Sequence, residues 1–472
     1  MLVSGSSAAS AVLSFARNVL IARLISVEDF GIAATFTMTV LFMELAGNVA
    51  VDRLIIQGQK TRSRGFQDAA QLFQVLRGAV SALILFALAR PIAIIFDLEH
   101  ITWAYQLSAL YPLIRGLAHL DACRAQRYLR FMPIIMVEVG AAAFATIAAV
   151  PLALWLQDFT AVLYLILLQA LALVAISHRV ARRPYRLRWD AAVFRQIFDF
   201  GWPVLIGGFV LFFTQHGDRV IVGAALSVRE LGWFSAALMT IFVPSNMASR
   251  VCLSLFLPIL SKAQDNRDKF DMLYATVVDL CLFIATLYAV AVAIAGPPVF
   301  HLLFGARYDA ALPLLGLLGA ALSLGLARTG PATVAMSRGD TKSLLIANLV
   351  RLSALGLAWL AVRMGYGVVA IVVCGLIGEF AALVTAHALL RLRSGLAVGR
   401  FIAPLAVAGA MMAGTVWFSM AVLPGFSVWG QIPLAIPVLL AAAGAGLMAM
   451  PNIVRFGPQI LRENIASGQG RA

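Results

Sequence analysis

Twelve ionisable side chains lie inside long apolar stretches of this chain: Arg17, Glu44, Arg77, Arg115, Glu138, Asp218, Arg219, Arg250, Asp279, Arg328, Arg351 and Glu379. At the centre of a membrane-spanning helix a charged group costs about 2.5 to 3.5 kcal/mol on insertion scales, so each is expected to face a partner or a watery cavity. Ion pairing between helices would explain any one of them, and Arg77, Arg219 and Arg351 lie close enough to expected helix ends to snorkel. The deep arginines Arg17, Arg115, Arg250 and Arg328 outnumber the deep acids Glu44, Asp218 and Glu379. Guanidinium groups bind phosphate oxygens bidentately. The chemistry this set implies is therefore non-covalent binding of an anion such as a diphosphate. Other constellations are missing from the sequence: Cys123, Cys252, Cys281 and Cys374 have no CxxC spacing, the six histidines form no HExxH pair, and no GxxxxGK[ST] phosphate loop occurs. Catalytic residues, a metal site and a cofactor are not expected. The GAGLMA string from Gly444 lies within an apolar helix and reads as close packing of small residues.

The elements that must position these residues follow from composition. Of 472 residues, 62% are hydrophobic and 12% charged, with a mean hydropathy of +0.92, whereas soluble domains carry about a quarter charged residues. The fold class is an all-α polytopic membrane protein. At about 20 residues per span, the length holds about 14 transmembrane helices with short loops and no separate soluble domain. Apolar runs place six helices in a first lobe at 2–24, 31–55, 69–95, 101–120, 133–155 and 159–177. Six more form a second lobe at 198–222, 231–257, 272–295, 311–336, 344–362 and 368–390, and two extra helices follow at 401–423 and 431–450. The expected division is a lobe over 1–177, a basic cytoplasmic linker over 178–197, a lobe over 198–390, and two helices with a cytoplasmic tail over 391–472. Breaks at Pro91 and Pro297-Pro298 would leave twelve or thirteen helices.

A repeat supports the two-lobe reading. ARNVLIARLISVEDFG from Ala16 returns as GDRVIVGAALSVRELG from Gly217, with Ser26-Val27 over Ser227-Val228 and Gly31 over Gly232. Each copy should end one helix and open the next, as in duplicated transporters with a site between the lobes. Arg17 falls opposite Asp218. In a soluble protein the net charge of +14 would suggest nucleic acid; here the placement of Lys and Arg gives orientation. The even loops are basic: Arg53, Lys60, Arg62 and Arg64, then Arg124, Arg127 and Arg130, then Arg179 through Arg195, and later Arg391, Arg393, Arg400, Arg455, Arg462 and Arg471. The odd loops hold only Arg90, Arg229, Arg307 and Arg363, so both ends should be cytoplasmic, with the basic loops near anionic lipid. Arg17 and Arg23 interrupt the first helix, which is not a cleaved signal peptide. Met1 opens straight into it, which leaves a start upstream of Met1 open.

In order and spacing, IARLISVEDFGIAA from Ile21, AQRYLRFMPIIMVEV from Ala125, FDFGWPVLIGG from Phe198, LPILSKAQD from Leu257, LLFGARYDAALPLL from Leu302 and AMSRGDTKS from Ala335 are similar to the oligosaccharide flippase family. That family is related to the lipid II flippase and, more distantly, to the multidrug and toxin extruders. The resemblance spans nearly the whole chain and implies two six-helix lobes around a central cavity exposed alternately to each side. Phe15-Ala16-Arg17 with Ala22-Arg23 matches a cavity-lining string of the lipid II flippase, so Arg17 inherits that role by resemblance. The small residues around Ser10 and Ala11 stand where that flippase has another arginine, which argues against lipid II as cargo. Gln215 and Asp218 match polar positions of the family. The expected function is flipping of polyprenyl-diphosphate-linked oligosaccharide units across a bacterial inner membrane. Arg17, Arg115, Arg250 and Arg328 would hold the diphosphate, Asn48 and Gln215 would contact sugars, and Glu44 and Asp218 would balance charge or bind a coupling ion. Expected partners are the lipid-linked oligosaccharide, membrane lipid and polysaccharide polymerase or export machinery, with no nucleic acid. A cation-coupled drug antiporter would want an acid-rich cavity instead. A membrane enzyme would need larger exterior loops than 157–158, 227–230 and 363–367.

Overall fold

A chain segment crossing lipid must satisfy its backbone polar groups internally, so apolar runs of this length become helices. The computed structural model describes residues 2–58, 63–396, 399–421, 425, 427–450 and 452. Met1, Lys60, Arg62, Arg455, Arg462, Arg471 and almost all of the tail lie outside the described residues, as does the side chain of Arg400. The described elements are helical throughout: α1 (Leu2–Leu24), α2 (Val27–Ala46), α3 (Val51–Gln57), α4 (Arg64–Ile95), α5 (Thr102–Ser108), α6 (Leu110–Gly116), α7 (Asp121–Arg127), α8 (Met132–Leu156), α9 (Thr160–Val180), α10 (Ala191–Ala225), α11 (Val228–Lys262), α12 (Arg267–Phe304), α13 (Leu312–Ala327), α14 (Thr329–Ser337), α15 (Thr341–Arg363), α16 (Val368–Ser394), α17 (Ile402–Ala421) and α18 (Ile432–Ala449). Among them, twelve segments are long and apolar enough to cross a membrane. The two other sequence-predicted spans are α1, interrupted by Arg17 and Arg23, and the stretch broken at Ala109 into α5 and α6.

Several helices are longer, or more broken, than hydropathy indicates. Asp190 caps α10 by accepting the amides of Ala192 and Val193 at 3.1 and 3.2 Å, which starts that helix well before its apolar run. Pro91 and the Pro297-Pro298 pair lie inside α4 and α12 without ending them. The second span, in contrast, breaks after Ala46, where Ala50 takes a left-handed conformation (φ 50°) between α2 and α3. Asn48 stabilises the break by accepting the amide of Ala50 at 2.8 Å, an Asx turn.

The chain divides into two compact units, Met1–Ser235 and Ala236–Ala472. In the first, α8 packs on α9 and α1, α4 on α5 and α6, and α10 on α2. In the second, the 38-residue α12 is buried along most of its length against α13, α17 and α18, while α15 and α16 pair. A helix apolar on all sides is the expected centre of such a bundle.

Both copies of the repeat end one helix and open another. Ser26 Oγ accepts the amide of Asp29 at 3.0 Å to start α2, and Ser227 Oγ accepts the amide of Glu230 at 3.1 Å to start α11. Each hydroxyl also meets the acid three residues on, at 2.5 and 3.0 Å. The copies then cross reciprocally: a Cβ on Gly31 would stand 1.8 Å from the carbonyl oxygen of Val228, and one on Gly232 would stand 2.3 Å from that of Val27. Equivalent residues touching equivalent residues is the signature of a local two-fold contact. Ser26→Ala or Ser227→Ala should each cost about 1 kcal/mol through loss of the cap. A lowered melting temperature of the purified protein would show it, and an unchanged one would deny the caps any weight.

Candidate functional site

The break at Asn48 opens a polar space. Among α2, α3, α4, α6, α7, α8 and α9, all within the first unit, lies a cavity of about 380 Å³. Its polar lining includes Glu44, Asn48, Asp52, Gln74, Arg77, Tyr111, Arg115, Gln126 and Glu138. Close helix contact aims the arginines into it. A Cβ on Gly78 would be 2.6 Å from the Pro112 carbonyl oxygen and one on Gly116 would be 3.1 Å from that of Gln74, so α4 and α6 touch backbone to backbone. Arg77 and Arg115, each within one residue of these glycines, line the same cavity.

Arg115 Nε lies 3.2 Å from Glu44 Oε1, with the two side chains 35% and 34% exposed, a pair that opens onto the cavity. Tyr111, one turn before Arg115 on α6, donates its hydroxyl to the same carboxylate oxygen at 2.7 Å. Arg77 donates to the carbonyl of Gly47 at 2.9 Å, which places a guanidinium on the C-terminal end of α2, where the helix dipole favours positive charge. Three carboxylates, Glu44, Asp52 and Glu138, face two arginines in this cavity. Arg17, half-buried on α1, donates to Gln169 Oε1 at 2.5 Å. Of the other first-unit residues singled out by sequence, Gln215 is exposed and Asp218 half-buried on α10.

The second unit holds a different arrangement. Arg328, at the junction of α13 and α14, places Nε 3.4 Å from Glu379 Oε2 and donates to Asn348 Oδ1 at 2.8 Å. Arg351 pairs with the other oxygen of Glu379. Two guanidinium groups thus share one carboxylate that is 7% exposed. Arg250, on α11 of the same unit, is exposed. The structure accordingly gathers Glu44, Asn48 and Arg115 into one cavity and Arg328, Arg351 and Glu379 into one cluster. Sequence reasoning did not single out Tyr111, Asp52 or Gln126. The available signal was spacing: residues 111 and 115 are one helical turn apart and must share a face.

The basic segment after α9 is docked onto the first unit. Asp121 Oδ2 accepts the amide of Arg182 at 2.8 Å, Gln67 Oε1 accepts from the Arg183 guanidinium at 2.8 Å, and the backbone carbonyl oxygen of Asp68 accepts the amide of Arg188 at 3.3 Å. Burial alone would raise the Asp121 carboxyl, but hydrogen bonds from Arg124 and the Arg182 amide more than offset it and hold the group below the usual range. His119 Nδ1 accepts the Asp121 amide at 3.0 Å, so Nε2 carries the proton that reaches the Arg183 carbonyl oxygen at 3.0 Å. Burial pushes the imidazole down; Asp121 opposes that shift, while His178 and Arg124 add to it. A lowered folded value means that the docked segment is fully favoured above about pH 6.5, the ordinary histidine value, and loses support as pH falls below it. Hydrogen exchange at Arg182 and Arg188, corrected for intrinsic rates, should therefore quicken between pH 7.5 and 5.5. In His119→Gln that pH dependence should vanish, and an identical response in the variant would exclude His119 as its source.

Long apolar helices enclosing a cavity lined by charged side chains define a multi-pass membrane protein. The chain belongs to the family described as polysaccharide biosynthesis protein, whose profile matches residues 20–313. Among curated proteins it is 25% identical over 328 residues to the succinoglycan biosynthesis transport protein ExoT of Rhizobium meliloti (strain 1021), covering 66% of this chain and 63% of that protein. It is 20% identical over 310 residues to an uncharacterized membrane protein in the cps region of Klebsiella pneumoniae, covering 65% of this chain and 64% of that one. The chain thus spans a little under two thirds of the length of these relatives. Its fold is similar to that of the lipid II flippase MurJ in an inward closed conformation, with a TM-score of 0.67 and 13% identity over 95% of this chain and 99% of that one. It is equally similar, at 0.67 and 13% over 82% and 94%, to an inward-facing multidrug resistance MATE family transporter of the MOP superfamily.

Proposed function

We propose that this protein flips polyprenyl-diphosphate-linked oligosaccharide units across the bacterial inner membrane for polysaccharide assembly, exposing a central, arginine-bearing cavity to each side in turn. The observation that carries this reading is a polysaccharide biosynthesis family match in a chain whose apolar helices hold arginines paired with carboxylates. Moving an unpaired diphosphate into hydrocarbon costs tens of kcal/mol by Born estimates. A hydrated path lined by guanidinium groups removes most of that barrier. In this reading Arg17, Arg115, Arg250 and Arg328 hold the diphosphate, and Asn48 and Gln215 contact sugars. Asp218 balances charge, and the prenyl tail stays in lipid. The two extra C-terminal helices belong with the two lobes, both termini face the cytoplasm, and the polymerase or export machinery takes the product.

Complementation tests it. In a strain lacking a defined flippase, the wild-type gene should restore glycan export and clear accumulated lipid-linked intermediates. Arg17→Ala and Arg250→Ala should each fail to do so at equal protein level, and full export by both variants would remove the arginines from the account. A second reading, a cation-coupled antiporter, draws on the three carboxylates in the first-unit cavity. Drug efflux without glycan export in the same strain would favour it.

A further inference from the structure

The first-unit cavity poses a charge problem for any anion. Its accessible arginine, Arg115, already carries a carboxylate, and Asp52 and Glu138 add negative charge around it. Arg77 is turned toward the Gly47 carbonyl oxygen. A phosphate approaching Arg115 meets Glu44 as a competitor for the same guanidinium, because both side chains line the cavity and are about one third exposed.

We propose that Glu44 is a proton-operated latch on Arg115: protonated from the water of the cavity, it releases the guanidinium to a phosphate oxygen of the substrate, and on losing the proton it takes the guanidinium back. The proposal rests on the flippase reading and adds to it a coupling ion and the residue that carries it. The step moves one proton and breaks no covalent bond. A hydronium ion gives its proton to the Glu44 carboxylate, and the N–H groups of Arg115 exchange a carboxylate acceptor for a phosphate acceptor. Tyr111 keeps the acid in place, because its hydroxyl can donate to the carboxylate at 2.7 Å and also to the carbonyl oxygen of the protonated acid. The titratable groups facing the pair are Tyr111 on α6, Arg77 on α4, Asp52 on α3, Glu138 on α8, Cys123 on α7 and His119 just before α7. Asp52 and Glu138 disfavour a further anion, so neutralising Glu44 is the step that removes the cavity's excess of negative charge and leaves two carboxylates against two arginines.

Because competition for one cation links the two equilibria, anion binding must draw in a proton as strongly as protonation favours the anion. Affinity should rise toward a limit of about tenfold per pH unit of acidification for a single linked proton. The test is titration calorimetry of the full chain in lipid nanodiscs with two probes, inorganic pyrophosphate and geranylgeranyl diphosphate, each in two buffers of different ionisation enthalpy. Wild type should take up close to one proton per ligand beyond that taken up by Glu44→Gln, in which binding persists and the ligand's own protonation still registers. Arg115→Gln, which keeps Glu44 but removes the shared cation, should also lose the extra uptake. Binding with equal proton uptake in all three proteins would overturn the latch while leaving the diphosphate reading intact. No binding of either probe by wild type would overturn both. A response to geranylgeranyl diphosphate alone would assign the site to the lipid-linked form, and a response to both would assign it to the diphosphate.

Discussion

Glu379→Leu is expected to destabilise the protein by about 3 to 5 kcal/mol, the range observed when one partner of a buried ion pair is removed and the other stays buried. Here two guanidinium groups lose the one counter-charge that they share among the described residues. Arg328 and Arg351 lie at opposite oxygens of this carboxylate, with side chains 16% and 18% exposed, and Arg328 would keep only the amide oxygen of Asn348. Thermal unfolding in detergent measures the loss. Arg351→Leu alone should be milder, and adding it to Glu379→Leu should recover part of the deficit, because one of the two stranded charges is gone. Strict additivity of the two substitutions would mean that the cluster is not an energetic unit.

Gly31→Leu is expected to be at least as damaging. The added Cβ would overlap the backbone oxygen of Val228, and the obstacle on both sides of the crossing is main chain, which cannot rotate away. Overpacking usually costs about 1 to 3 kcal/mol, and more where the neighbours cannot yield. The variant should give little monodisperse protein in detergent chromatography, with Gly232→Ala intermediate. Gly207, on α10 with open space around it, is the control, and Gly207→Leu should leave the melting temperature unchanged. Equal melting of Gly31→Leu and wild type would show that the reciprocal crossing carries no load.

The repeat that marks the two turns also contains this contact, since Gly31 and Gly232 occupy equivalent positions in its two copies. Sequence read the all-helical class, twelve of its fourteen spans and both turns of the repeat, because apolar run length and turn chemistry are local properties. It read less well where tertiary partners decide. The break at Asn48 carried a local signal, Gly47-Asn48 ahead of a left-handed Ala50, that the apolar runs on either side masked, and the helix through Pro297-Pro298 persists because α12 is packed along most of its length. The site was half legible. Glu44, Asn48 and Arg115 were read together as parts of one polar site, whereas Tyr111, Asp52 and Gln126, which line the same cavity, were not singled out. The reading of Arg328 as a diphosphate ligand did not include its hold on Glu379, since pairing between α13 and α16 is a matter of how helices cross, and one sequence does not encode that visibly.

The central claim is that guanidinium groups within the spans carry a diphosphate through the membrane. Its most direct measurement is the rate at which the full chain, reconstituted in liposomes, moves a short polyprenyl-diphosphate oligosaccharide from one leaflet to the other, compared with the same glycan on a neutral lipid. The account predicts rapid transfer of the diphosphate form, little of the neutral one, and at least a tenfold loss in Arg17→Ala and Arg115→Ala, the effect of removing about 1.4 kcal/mol of barrier stabilisation. Equal transfer of both lipids, or unchanged rates in both variants, would contradict it.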